Sequence, residues 1–144
     1  MAFFQVVQSL DSLDLAAKIN GLAAPQSRKF ACLVQIKISP EPAKSGVELE
    51  NLNAVMENLG AYPYLDIRGF MCVAPRTRTP EESRPFFKRA RGLFERYHKF
   101  FNGEEPLLSM GMSADFEVAL EEGSNMIRIG SALFGSRPDS ANRH

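Results

Sequence analysis

Apolar positions along this chain alternate between a period of two and a period near 3.6, and each change marks a passage between strand and helix. Phe4-Gln5-Val6-Val7-Gln8 is short and β-branched, predicting a strand over residues 4–9. Asp11 or Ser12 is placed to cap a helix carrying Leu13, Leu15, Ala16, Ala17 and Ile19, with Gly21 placed to stop it. A polar stretch then leads into Phe30-Ala31-Cys32-Leu33-Val34-Gln35-Ile36-Lys37-Ile38. Its nearly continuous apolar character predicts a strand over residues 31–38 that is covered on both faces.

The loop Ser39 to Gly46 follows, after which Leu49, Leu52, Val55, Met56 and Leu59 recur at helical steps. Leu65 to Val73 reads as a third strand. Phe86, Phe87, Ala90, Leu93, Phe94, Tyr97 and Phe101 form one face of a long helix. Thr79-Pro80-Glu81-Glu82 has the pattern of a capping box with Pro at the first helical position, and Pro85 makes Ser83 the alternative start. Residues 107–110 predict a fourth strand, 115–122 a short helix ended by Gly123, and 126–130 a fifth strand. Ser131 to Phe134 turns back toward helix.

Strand and helix alternate about five times, which predicts an α/β fold with a parallel sheet and right-handed crossovers. A doubly wound sheet and part of a (β/α)8 barrel give the same periodicity, and both stay open at this point. The chain reads as one domain over residues 1–137, with 138–144 as a polar tail.

Charge changes the picture by exclusion. Lys plus Arg and Asp plus Glu are both 17, so no net field draws the chain to nucleic acid or an anionic membrane. Arg84, Lys88, Arg89, Arg91, Arg96 and Lys99 make a basic helix face beside His98, but no aromatic platform interleaves with it, so it reads as a solvated face. No apolar run is long enough to span a bilayer, and the N-terminus lacks a charged stretch followed by a long apolar one. A cytoplasmic location is the expectation, with a mitochondrial one as the alternative. Cys32 and Cys72 sit inside strand-like runs without metal-ligand spacing and read as buried free thiols.

Three segments place Gly and small polar residues directly after a strand, where α/β proteins bind ligands. In Ser109-Met110-Gly111-Met112-Ser113, Gly111 allows close backbone approach and two hydroxyls are at hand; Ser113 capping the next helix is the plainer reading. In Arg128-Ile129-Gly130-Ser131, a strand period puts Arg128 and Gly130 on one side. If that side is a barrel interior, Arg128 must face a ligand or an acid, because an unpaired buried charge is costly. Pro40 to Gly46 lacks P-loop spacing, though Lys44 is placed to offer one ammonium to a phosphate. No Ser/His/Asp or Cys/His arrangement and no metal cluster can be drawn.

Ser9-Leu10-Asp11-Ser12, Val34-Gln35-Ile36, Pro42-Ala43-Lys44-Ser45-Gly46 and Ile67-Arg68-Gly69-Phe70-Met71 follow one another in order. Leu108-Ser109-Met110-Gly111-Met112-Ser113-Ala114-Asp115-Phe116-Glu117 and Ile127-Arg128-Ile129-Gly130-Ser131-Ala132-Leu133-Phe134-Gly135 complete the series. From Phe4 to Arg137 the chain resembles the pyridoxal phosphate (PLP) homeostasis family. The resemblance implies a partial TIM barrel of the alanine racemase N-domain type, about the last five β/α units, with PLP at the C-terminal mouth. It implies that Ser109, Ser113, Gly130 and Ser131 surround the phosphate; Met110 and Gly111 of the same turn and Lys44 complete the expected cofactor-binding set. It also implies that Arg128 faces the pyridine nitrogen and disfavours its protonation. Lys37 stands where the family usually has Asn.

The family is a carrier or regulator of PLP rather than an enzyme. Its Schiff-base lysine belongs to the first three strands, which the resemblance places ahead of Met1, so PLP binding here is expected to be non-covalent. A fragment of an amino-acid racemase-like enzyme and a structural subunit that no longer binds PLP are the alternatives. Five staves would leave two free edges and an interior without its opposite wall. Several of Val6, Val7, Val34, Ile36, Met71 and Ile129 must point inward and cannot all be covered by helices, predicting self-association or a partner chain that covers the open barrel.

Overall fold

In the computed structural model, which describes residues 5–42 and 44–135, the period-two segments become five strands. They are β1 (Val6–Leu10), β2 (Phe30–Gln35), β3 (Leu65–Met71), β4 (Leu107–Met112) and β5 (Met126–Arg128). Between and after them lie α1 (Leu13–Ala23), α2 (Leu52–Leu59), α3 (Arg84–Arg96), α4 (Phe116–Glu121) and α5 (Ser131–Phe134). The strands run parallel in the order β1-β2-β3-β4-β5.

Helix packing resolves what periodicity left open. Cys32, Val34, Leu65, Ile67, Phe70, Leu108 and Met110 share one buried cluster with Ala16 and Ile19 of α1, Met56 of α2 and Phe87, Ala90 and Phe94 of α3. Leu33, Gln35, Met71 and Ser109 are buried but alternate onto the opposite, concave face. Sequential strands with the helix core on one face make a segment of a (β/α) barrel rather than a doubly wound sheet. Phe70 helps fix α3 to β3 through edge contacts with Tyr97 (5.9 Å) and Phe101 (4.9 Å).

Several local expectations are corrected. Ser12 caps α1 by accepting from Leu15 N–H at 3.3 Å, but the helix runs through Gly21 to a fully buried Ala23. Burying Ala23 outweighs the helix penalty of about 1 kcal/mol for glycine. The capping box does not form: Pro80–Ser83 is a 3₁₀ turn, Thr79 makes no side-chain cap, and α3 starts at Arg84. There Arg84 gathers Glu81, Glu121 and Glu122, tying the start of α3 to the end of α4. These hydrogen bonds raise the Arg84 pKa and lower that of Glu81.

The six apolar positions divide between the two faces of the sheet. Val34 and Ile36 are buried in the helix-facing core, Met71 is buried on the concave face, and Val6, Val7 and Ile129 are half-buried. Among the described residues β1 and β5 are the sheet's two edges, each paired on one side. An open parallel edge presents unpaired N–H and C=O groups. The 144-residue polypeptide is therefore expected to self-associate at micromolar concentration in sedimentation velocity. A single monomeric boundary would contradict this. The polar tail and Phe4 lie outside the described residues. No helix among the described residues is long and apolar enough to cross a membrane.

Candidate functional site

At the C-terminal ends of β4 and β5 the chain leaves a depression of about 390 Å3, lined by Met112, Ser113, Ala114, Arg128, Ile129, Gly130 and Ser131. That volume lies within the range of ligand sites, roughly 300–1,000 Å3. Gly111 shapes it from behind. Its φ is +92°, and a Cβ there would lie 2.6 Å from the Ala119 Cβ and 3.0 Å from the Phe116 Cα. The close approach that Gly111 permits is thus to α4, which holds the β4–α4 turn in place.

Ser113 does not cap α4. Its Oγ accepts from the Gly130 and Ala132 N–H groups, both at 3.2 Å, so it joins the β4 turn to the start of α5. Asp115 fastens the turn instead, its Oδ1 accepting from Met112 N–H at 2.8 Å. β5 ends at Arg128, and Gly130 has φ −124° and ψ −76°, so strand alternation stops before Gly130. Both residues still line the depression.

Ser109 and Met110 lie elsewhere, because β4 continues to Met112 rather than turning after residue 110. Met110 is in the helix-facing core, while the buried Ser109 Oγ accepts from Arg128 Nη1 (2.8 Å) and donates to Gln8 Oε1 (2.7 Å). Arg128 Nη2 donates to the Cys72 carbonyl at 2.9 Å. Among the described residues Arg128 forms no ion pair, and burial lowers its pKa, partly opposed by Cys72 and Asp115. A guanidinium fixed by two neutral acceptors keeps its charge available for a third partner.

Lys44 lines an adjoining hollow of about 320 Å3 with Ala74, Pro75, Arg76, Thr77 and Asp115; Met112 and Ala114 belong to both. Lys37 pairs with Glu48. Met112, Ala114 and Ile129 were not placed in the site from sequence, and neither was Gln8. A glutamine two positions after Val6 in a short β-branched run was the available sign of an inward polar group.

The two thiols are buried and free. Burial, with a smaller push from Asp66, raises Cys32 to about 11. Burial raises Cys72 to about 12, with Arg128 pulling it back and Asp115 adding to the rise. Unfolded thiols ionise near pH 8.5, so the raised folded values favour the native state below that pH. This contribution is lost as pH climbs from about 9 through 11 and 12. The denaturation midpoint should fall across that window, and fall less in the Cys32→Ala/Cys72→Ala variant. Equal slopes would contradict the assignment.

Residues 1–138 match the family described as alanine racemase, N-terminal domain. The pyridoxal phosphate homeostasis protein of Aquifex aeolicus is 39% identical over 132 residues, covering 92% of this chain and 58% of the relative. That of Haemophilus influenzae is 32% identical, covering 98% and 60%. The structure of PipY from Synechococcus elongatus with PLP bound superposes with a TM-score of 0.81 at 31% identity, covering 93% of this chain and 62% of that one. The chain thus spans about three-fifths of each. It belongs to the alanine racemase N-terminal domain family, and over about three-fifths of their length it is similar to pyridoxal phosphate homeostasis proteins.

Proposed function

We propose that this chain binds pyridoxal 5′-phosphate non-covalently and serves PLP homeostasis rather than catalysis. The observation that carries the reading is the oxygen-binding cradle at the C-terminal mouth. Two backbone N–H groups, of Gly130 and Ala132, already converge on one oxygen, that of Ser113. The Ser131 segment lies beside them in the same depression. A phosphate oxygen arriving here would take the place of the Ser113 hydroxyl on those two donors, with the Ser113 and Ser131 hydroxyls beside it. Among the described residues a Cβ built on Gly130 meets nothing within 4 Å, which leaves room on that side for a ligand.

Ser113, Gly130 and Ser131 would hold the phosphate. Arg128, fixed to Ser109 and the Cys72 carbonyl, would place a cation at the pyridine end. Lys44, in the adjoining hollow, would add an ammonium. When bound, PLP supplies an electron-withdrawing ring, and a cation close to its nitrogen opposes protonation and weakens that property. The PLP-bound PipY structure and the homeostasis relatives support this reading.

Added PLP should change its absorbance on mixing with the protein. Borohydride reduction should then leave the protein's intact mass unchanged. A mass increment on a lysine, or no spectral change, would overturn the proposal.

A further inference from the structure

Gln8 lies on β1, three strands away from β4 in the sheet, yet it reaches Ser109 at 2.7 Å across the concave interior. The direction of each hydrogen bond follows from chemistry. A guanidinium N–H only donates, so the Ser109 Oγ must accept from Arg128 Nη1, 2.8 Å away. Ser109 is fully buried and has a single proton left to donate. Gln8 Oε1 takes it, which also fixes the amide with its oxygen inward. A relay therefore runs from the first strand to the guanidinium on the last: Gln8 sets the Ser109 hydroxyl, and the hydroxyl leaves its lone pair for Arg128.

We propose that Gln8 is a positioning residue for Arg128. It holds the guanidinium in the one orientation that uses both the Ser109 hydroxyl and the Cys72 carbonyl. Without an acceptor at position 8, the Ser109 proton competes with Arg128 for space and partners, and the guanidinium loses one of its two anchors. The effect on the ligand rests on the reading that Arg128 faces the pyridine ring of PLP. The effect on Arg128 itself does not.

The test uses Gln8→Met, which keeps side-chain length and removes the acceptor, and Gln8→Glu, which keeps an acceptor. Arginine side-chain NMR of the ligand-free protein reads the first link. The Arg128 Nη protons should be separately resolved in the wild type and in Gln8→Glu, and averaged in Gln8→Met. Ser109→Ala should average them too, and supplies the same comparison if Gln8→Met does not fold. PLP titration reads the second link: Gln8→Met should lose about five- to tenfold in affinity and Gln8→Glu less than about twofold. Adding Gln8→Met to Ser109→Ala should cost nothing more, because both cut one relay. Unchanged Arg128 signals in Gln8→Met, Gln8→Glu behaving like Gln8→Met, or additive losses would overturn the positioning role. If the NMR response appears but Arg128→Ala leaves PLP affinity intact, the relay stands and the pyridine reading falls.

Discussion

Gly69→Ala is expected to destabilise the protein by about 3 kcal/mol or more, a large share of the roughly 5–15 kcal/mol that is a domain's whole stability. Gly69 sits in β3 at φ +149°, and a Cβ there would lie 1.9 Å from the Leu107 carbonyl oxygen and 2.9 Å from its nitrogen. Both obstructions are backbone atoms of the paired strand, so no side chain can swing aside. The clash falls where β3 meets the first residue of β4, and just after the register between β2 and β3 shifts. Relieving it means separating the two strands that carry Met71 and Ser109. Gly92→Ala is the control. It is exposed on α3 with nothing within 4 Å of a new Cβ, and should gain about 0.5–1 kcal/mol. Urea denaturation measures both, and equal midpoints for the two variants would contradict the packing described for β3 and β4.

Gly130→Asp is expected to lower PLP affinity by about 100-fold or more while leaving the fold intact. Among the described residues nothing lies within 4 Å of a new Cβ there, so stability should hold. Its carboxylate would sit beside the N–H groups that converge on Ser113 and repel a phosphate arriving there. At a few ångströms in a half-solvated site, like charges cost about 3–4 kcal/mol, which a loss of two or more decades in Kd reflects. Equilibrium dialysis with PLP measures it. Undiminished affinity in a folded Gly130→Asp protein would remove the phosphate assignment at this mouth.

The strands were legible because period two and period 3.6 are set by backbone geometry, and Val6, Cys32, Ile67, Leu108 and Ile127 keep to it. Barrel against doubly wound sheet was not legible, since the difference lies in which face the helices cover. That appears only when Val34 and Phe70 are seen sharing a core with Ile19 and Phe87. Gly21 misled because a glycine in a helix is indistinguishable in sequence from one that ends it. In the site, the Gly-Ser character of both turns was readable, but its division of labour was not. Ser109 and Ser113 look equivalent on paper, yet strand alternation through Met112 turns Ser109 into the interior toward Arg128, while Ser113 reaches α5. Gln8 could be read as an inward polar residue, but its partner Ser109, 101 positions away, could not.

Phosphate is the part of PLP that the β4–β5 mouth of this chain is proposed to grip. Calorimetric titration of the 144-residue protein with pyridoxal 5′-phosphate and with pyridoxal, repeated on Arg128→Ala, tests it most directly. Saturable binding of the phosphate ester, binding of pyridoxal at least tenfold weaker, and a loss in Arg128→Ala are the predicted results. Equal affinity for the two compounds, or no binding of either, would contradict the account.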